Sequence, residues 1–194
     1  MPRAMRIYRL EDDFREPIRW YLNVPSGTDG QDLTWSFNSS KSYGQIAPLF
    51  TGIQQDGRRV DFTLGAFDIP ILNRAAMSVF QTFAGECVEF IPTKVEGERD
   101  DYFIMNILAE ADCLDESASL IQWWTAEDGR PDRVGTYRML VSEIYDSSIT
   151  TLPAIFRLSK FSVRIMLRED LRKAIDDAGL TGLICNEIIS NNVA

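Results

Sequence analysis

Apolar and polar residues recur with two different periods along the chain, and these periods predict where strands and helices lie. Apolar residues recur at helical spacing within 68–84 and within 168–178, which predicts two main helices. Strands are predicted where short runs alternate or are apolar: 6–10, 58–64, 87–95, 102–108, 122–125, 136–145, 154–158, 164–167 and 183–189. Because the strands outnumber the helices and do not alternate with them regularly, the pattern predicts an α+β fold with a mostly antiparallel sheet.

The ends of the two predicted helices carry local signals. Asp68 is a common N-cap residue and Pro70 suits a first helical turn, so the first helix is expected to begin there. Glu169 and Asp170 fall in the first turn of the second helix, where the helix dipole favours anions. Gly179 follows that helix and is expected in the left-handed conformation, with Leu180 folding back onto the last turn.

Residues 24–57 are rich in Gly, Ser, Asn, Asp and Gln. This composition predicts a long irregular segment with one short strand near Leu33 to Phe37. A loop of that length is unusual in a compact domain and is typical of a functional flap or a mobile arm. The length of 194 residues otherwise predicts one domain spanning 1–194.

The charge balance narrows the classes of partner. The chain has 20 Lys and Arg against 29 Asp and Glu, a formal net charge of −9. Nucleic acids and anionic membranes repel such a surface, so neither is expected as a partner. No apolar run reaches the roughly 18 to 20 residues of a membrane helix, no signal peptide is evident, and the three cysteines lack a disulfide or zinc spacing. A cytoplasmic protein is predicted.

The absence of histidine limits the available chemistry. Nucleophile systems of the Ser-His and Cys-His type are excluded within this chain, as are zinc sites that require imidazole. Neither GxxxxGK[ST] nor GxGxxG occurs, so no phosphate-binding loop is present. We therefore expect no cofactor and no metal, and no catalytic residue is assigned.

A cluster of acids follows the predicted strand 102–108. Glu110, Asp112, Asp115 and Glu116 are either a carboxylate site or the polar residues of a turn. The turn is favoured because no calcium loop of the DxDxDG type is present and because Asp and Ser commonly cap such turns. A two-carboxylate hydrolase stays open as an alternative, since the spacing of carboxylates is a three-dimensional property.

Two adjacent tryptophans, Trp123 and Trp124, are candidates for binding a partner. Neighbouring residues on a strand point to opposite faces, so one ring is expected in the core and the other at the surface or over an edge. The alternative is that both are buried, one of them under segment 24–57. Exposed tryptophan is enriched at binding hot spots, so Trp123, Trp124, Asp115 and Glu116 are predicted to contact a partner.

Four stretches, taken in order, resemble a known family. They are CVEFIP at 87–92, YFIMNILAEADCLDES at 102–117, IFRL at 155–158 and LREDLRKAIDDAGLTGL at 167–183. Together they resemble bacterial immunity proteins of polymorphic toxin systems, over roughly residues 60–190; the second stretch supplies the pattern residues Asn106, Ile107, Leu108, Asp112 and Asp115. Arg168 stands where the family often has Ser, which puts the usual N-cap of the last helix in doubt.

The resemblance implies a non-catalytic protein that binds and neutralises a cognate toxin of the same strain, expected from an adjacent gene. The pattern residues are interpreted as structural, with Asn106 and Asp112 expected to hold the exit of the strand 102–108 by hydrogen bonds. Two alternatives remain: a carboxylate-dependent, glycosidase-like hydrolase, and an oligomeric scaffold or interaction module. An exposed edge strand also leaves a homodimer open.

Overall fold

The computed structural model describes residues 5–28, 31, 33–44 and 49–191. The helices in this part of the chain are α1 (Arg74–Ala84) and α2 (Glu169–Asp177), with short 3-10 turns at Gly85–Cys87 and Ala126–Asp128. The strands are β1 (Ile7–Asp12), β2 (Tyr21–Leu22), β3 (Leu49–Thr51), β4 (Ile53–Gln55), β5 (Phe62–Gly65), β6 (Ile69–Asn73), β7 (Val88–Val95), β8 (Tyr102–Ile107), β9 (Glu110–Ala111), β10 (Leu120–Trp123), β11 (Tyr137–Ser142), β12 (Ile144–Tyr145), β13 (Ile155–Leu158), β14 (Phe161–Arg168), β15 (Leu183–Glu187) and β16 (Ile189–Ser190).

Two five-stranded sheets form the body of the protein. The first has the order β15-β1-β14-β13-β9, and the second has the order β3-β7-β8-β6-β5. Neighbours within these sheets run antiparallel except β13 with β9 and β3 with β7. The predicted α+β fold with mostly antiparallel sheets is therefore confirmed.

The two sheets share one local arrangement. In the second sheet the hairpin β5–β6 runs directly into α1 and then β7, with β8 between β6 and β7. In the first sheet the hairpin β13–β14 runs directly into α2 and then β15, with β1 between β14 and β15. The helices pack against each other. A central core therefore unites both helices with one face of each sheet, and its members include Phe62, Phe80, Met105, Ile155, Leu167 and Leu171.

The opposite face of each sheet is covered by a different segment of chain. Trp20, Leu33 and Phe37 pack on the second sheet from a segment at 20–44. Tyr137 and Tyr145 pack on the first sheet from a segment at 113–149. Each sheet is buried on both sides, because apolar side chains point from both faces of its central strands.

The first helix begins later than the sequence predicts. Asp68 is not its N-cap; it lies in the β5–β6 turn with a φ of 56°. Residues 69–73 form β6 instead, because Ile71 and Leu72 are buried and pair with β5 and β8. Asn73 caps α1 by accepting a hydrogen bond from Ala76 N at 3.0 Å.

The second helix agrees with its prediction. It spans Glu169–Asp177, and Gly179 has a φ of 62°. Leu180 N donates to Ile175 O at 3.3 Å and Gly179 N donates to Asp176 O at 2.9 Å, which is the Schellman arrangement.

The short strand predicted at Leu33 to Phe37 is wrong. That stretch forms turns, in which Ser36 N donates to Leu33 O at 3.0 Å, and both apolar side chains are buried. Leu33 and Phe37 are four positions apart, and this spacing puts two side chains on one face in a strand as well as in a helical turn, so it does not distinguish the two. No helix among the described ranges is long and apolar enough to cross a membrane.

Candidate functional site

Asp115 caps the turn that follows β9. Its carboxylate accepts hydrogen bonds from Ser117 N at 2.9 Å, Ala118 N at 3.1 Å and Asn191 Nδ2 at 2.8 Å. The hydroxyl of Ser117, followed by these other donors, lowers the pKa of Asp115 to about 2. Asp115 therefore stays ionised at neutral pH and holds the turn together.

Glu116 belongs to a cluster of polar and aromatic side chains. It forms an ion pair with Lys160 and accepts a hydrogen bond from Tyr137 Oη at 2.6 Å. These two donors lower the pKa of Glu116, and the bond to Glu116 raises the pKa of Lys160. Asp112 lies 3.7 Å from Lys160 Nζ. A glycosidase-type general acid requires a carboxyl with a raised pKa, and neither Asp115 nor Glu116 is in that state.

The two tryptophans lie at the end of β10, and neither is in the core. The Trp123 ring is 4.9 Å from Tyr137 and 5.5 Å from Lys160 Nζ, and it is 37% exposed. The Trp124 ring is half-buried and lies 5.2 Å from the guanidinium of Arg138. The expectation that one ring enters the core is wrong, because β10 pairs with β11 in a two-stranded ribbon that lies outside both large sheets.

This ribbon, defined as β10 together with β11, has one buried side and one exposed side. Ile121 and Leu140 pair across it and pack against the core beneath the first sheet. Leu120, Met139 and Val141 are 59%, 50% and 54% exposed. Apolar residues gathered on an exposed surface are typical of an interaction site. We call these three residues the outer face of the ribbon.

A cleft of about 600 Å³ lies beside the ribbon. One wall comes from the ribbon and its connecting loop, the floor from the β13–β14 turn, and Trp35 joins from segment 33–44. Its charged lining residues are Arg130, Arg133, Arg138 and Lys160, and none of the lining residues is acidic. We call it the cationic cleft. Acids outside the lining pair with these cations: Arg130 and Arg133 with Asp132, Arg138 with Asp128, and Lys160 with Glu116 and Asp112.

Two buried polar side chains hold segment 33–44 in place. Arg157, at 0% exposure, donates to Phe37 O at 3.0 Å and to Ser162 O at 2.6 Å. Burial lowers the pKa of Arg157 to about 10, so the guanidinium stays charged at neutral pH. Asn106, also at 0% exposure, donates to Lys41 O at 2.8 Å. Asn106 therefore binds this segment rather than the exit of its own strand.

Trp35 has a strained aromatic neighbour. Its ring lies 5.3 Å from that of Phe67 in an edge-to-face arrangement, and the two side chains are 58% and 50% exposed. Phe67 and Asp68 both have positive φ, 63° and 56°, which costs about 1–3 kcal/mol for each residue that is not glycine. Asn38 Nδ2 donates to Phe67 O at 2.8 Å and stabilises this turn. The strained turn therefore holds the Phe67 ring against Trp35, which lines the cationic cleft.

One part of the cleft is recognisable in the sequence, but the prediction of a site considered only the acids and the tryptophans. The run RPDRVGTYR at 130–138 holds three arginines within one loop and the start of β11. Nothing in the sequence indicates that Trp35, 89 positions before Trp124, lines the same cavity. The structure brings together Glu116, Trp123 and Lys160 as one cluster, and leaves Asp115 apart as a turn cap.

Comparison with known proteins identifies a family. A model of an immunity protein family (Imm11) matches residues 26–189, a range that includes both large sheets except β1, both helices, the ribbon and the cationic cleft. No curated protein matches the chain. Because the match extends over well over half of the sequence, the chain belongs to the Imm11 immunity protein family.

Proposed function

We propose that this protein neutralises the cognate toxin of a polymorphic toxin system by binding it, without catalysis, in the cytoplasm of the cell that makes both. The toxin is encoded by an adjacent gene, and the whole of 1–194 acts as one binding domain. Membership of an immunity protein family supports this function. The structural observation that carries it is the exposed outer face of the ribbon.

The outer face has the properties of a protein-binding surface. Leu120, Met139 and Val141 present apolar area that a partner would remove from water, at about 25 cal/mol per Å². The backbone beneath them is fixed by strand pairing and by Ile121 and Leu140 on the buried side. A surface that is already ordered loses little entropy on binding, which favours affinity.

Aromatic residues border this face. Trp123 is held between Tyr137 and Lys160, and Trp124 lies on Arg138. Tryptophan and arginine are the residues most enriched among binding hot spots. We therefore propose Trp123 and Trp124 as contact residues, with Glu116 at the rim and Asp115 supporting the adjacent turn.

Co-expression tests this function directly. The product of the adjacent gene is expected to stop growth when expressed alone and to be harmless when this chain is co-expressed, with a complex detectable by isothermal titration calorimetry. The variant Leu120→Ser, Met139→Ser, Val141→Ser is expected to lose protection and binding. A matched variant, Ile18→Ser, Phe50→Ser, Phe83→Ser, changes three exposed apolar residues outside the ribbon and is expected to keep both.

Two results would contradict the proposal. A harmless neighbour, or a wild-type chain that neither binds nor protects, removes the immunity function. A wild-type chain that elutes as a dimer, and becomes monomeric only in the ribbon variant, assigns the outer face to a second copy of this chain. The latter is the scaffold alternative, and among the described residues β10 pairs with no strand other than β11.

A further inference from the structure

We infer that the cationic cleft receives a short acidic segment of the toxin, in which two or three Asp or Glu side chains meet the arginines while a neighbouring apolar side chain packs between Trp35 and Trp124. This inference rests on the proposed function and specifies the chemistry of the partner. It concerns a different surface from the outer face, although the two adjoin through Trp124 and Arg138.

Charge complementarity is the first argument. The cleft is lined by four cationic side chains and by no acid, although each cation is ion-paired with an acid outside the lining, namely Asp112, Glu116, Asp128 or Asp132. A cavity lined by one sign of charge concentrates the field and attracts a ligand of the opposite sign. A partner that presented basic residues here would meet like charges at short range, which opposes binding.

The geometry of the arginines is the second argument. Arg130 uses Nε and one terminal nitrogen on Asp132, at 3.1 and 3.0 Å, and Arg138 uses one terminal nitrogen on Asp128 at 2.5 Å. A guanidinium has five N–H donors, so both retain donors beyond these bonds. Arg133 Nε lies 3.7 Å from Asp132, which is a loose contact. Asp132 and Asp128 offset part of this charge and fix the guanidinium groups, whose remaining donors are what a carboxylate in the cleft would meet.

The remaining lining residues indicate a peptide as the ligand. Trp35 and Trp124 supply flat apolar walls, and Phe161 and Val163 extend them. Thr136, Ser159 and Ser162 add hydroxyl groups, which hydrogen-bond to peptide groups and carboxylates alike. An extended peptide alternates the direction of its side chains, so acidic and apolar residues in sequence fit opposite walls.

Nucleic acid fits the same cavity less well. Phosphates and bases also bind arginine and tryptophan, as single-stranded nucleic acid does in cationic grooves. A longer polyanion, however, extends beyond a cleft of about 600 Å³ onto a surface with a net charge of −9. A short acidic segment within a folded toxin avoids that repulsion, because only a few carboxylates enter.

The first experiment uses the complex with the adjacent gene product. The variant Arg130→Glu, Arg133→Glu is expected to bind about 100-fold more weakly than wild type, since a contacting charge pair becomes repulsive. The control Arg15→Glu, Lys94→Glu makes the same change in net charge at exposed cations outside the cleft, and Arg15 also forms a bidentate ion pair with an acid two residues away. It is expected to change affinity by about threefold or less.

The outcomes separate the two proposals. If the cleft variant folds and binds like wild type, the inference about the cleft is overturned while the immunity function stands. If wild type forms no complex at all, the immunity function fails, and the second experiment decides the cleft on its own.

The second experiment follows the tryptophan indole signals of the ¹⁵N-labelled full chain by NMR. Hexaglutamate, up to about 1 mM, is expected to shift the Trp35 and Trp124 signals saturably and to leave buried Trp20 unchanged. Hexalysine, and hexaglutamate added to the cleft variant, are expected to shift none of them. No response to hexaglutamate, or a stronger response to a single-stranded hexanucleotide, would overturn the assignment of an acidic peptide.

Discussion

Two segments, the described residues of 20–44 and residues 113–149, each bury the outer face of one sheet, but they differ in how they are held and in what they leave exposed. The first buries Trp20, Leu33 and Phe37 and is fixed by hydrogen bonds from buried Arg157 and Asn106. The second buries Tyr137 and Tyr145, and it also contains the ribbon, whose outer face is exposed. Both segments cover a sheet, and in the second segment three exposed apolar side chains lie together on the outer face of the ribbon.

The stretches that resemble the family include residues that hold the first covering segment, but they do not include the ribbon. Asn106 and Arg157 belong to two of the stretches that resemble the family, and both bind backbone carbonyls of the first covering segment. The ribbon falls between those stretches. Residues that hold a fold are constrained by their partners within the chain, whereas the surface that we propose to face the toxin would be constrained by the toxin, which is consistent with its position between the stretches.

Removing the Arg157 side chain should break the first covering segment most severely. Arg157→Ala leaves a cavity and leaves Phe37 O and Ser162 O without their donor, so the free energy of unfolding should fall by about 3–5 kcal/mol. Urea denaturation measures this change. Arg133→Ala, an exposed arginine of the second segment, serves as control and should cost less than about 0.5 kcal/mol. Equal losses would mean that the two segments are anchored alike.

The stability of the first covering segment should depend on pH through Asp12, whose partner Arg19 directly precedes that segment. Asp12 is 4% exposed, binds Arg19 at 3.0 Å and accepts from Leu64 N at 2.8 Å. Burial raises the pKa of Asp12 from 3.8 to about 6. A raised pKa means that the folded protein holds the proton more tightly, so the stability contribution of Asp12 is complete below pH 3.8 and is lost as pH rises through 6.

The measurement is the difference in unfolding free energy between wild type and Asp12→Asn across this range of pH. Other groups cancel in that difference, which should decrease by about 2.5 kcal/mol between pH 4 and pH 7. A difference that stays constant would show that Asp12 titrates normally and that burial does not control it.

Asn106→Leu should loosen the same segment by a smaller amount. Leucine keeps the volume of the side chain but leaves Lys41 O without its donor, at a cost of about 2 kcal/mol. Hydrogen exchange should become faster at Tyr43, whose amide donates to Glu89, the second acceptor of Asn106. An unchanged exchange rate at Tyr43 would mean that Asn106 stabilises only its own strand.

The smallest expected effect on stability is that of the outer face. The variant Leu120→Ser, Met139→Ser, Val141→Ser alters exposed side chains, which together should contribute less than about 0.5 kcal/mol of unfolding free energy. Its thermal melting curve should overlay that of wild type although toxin binding is lost. A decrease of several degrees in melting temperature would show that these residues support the fold instead.

Local signals accounted for the elements that the sequence predicted correctly. The apolar run at Tyr102–Ile107 forms a central strand, and Gly179 with Leu180 ends α2 as its residue types indicate. The helix start predicted at Asp68 and Pro70 is wrong because β6 pairs with β5 and β8, and this pairing overrides the local preference for a helix. Such pairing is a tertiary effect, which a window of local sequence does not contain.

The candidate site depended on contacts between distant parts of the chain. Asn106 and Lys41 are 65 positions apart, and Arg157 and Phe37 are 120 apart. The tryptophan pair indicates the ribbon through its residue type, but the orientation of its rings follows from a ribbon outside the main sheets, which the sequence does not reveal. The cationic cleft combines three separate stretches of chain; the run of three arginines at 130–138 was not among the sequence-based predictions, and its place in a cleft follows only from the fold.

Hydrogen exchange of the toxin complex, compared with the free protein, tests the central claim most directly. The account predicts new protection of amides in β10, β11 and the loop between them, with little change at segment 33–44 apart from Trp35 and its immediate neighbours. Protection confined to the edge strand β15 or to α1, with the ribbon exchanging as in the free protein, would contradict it.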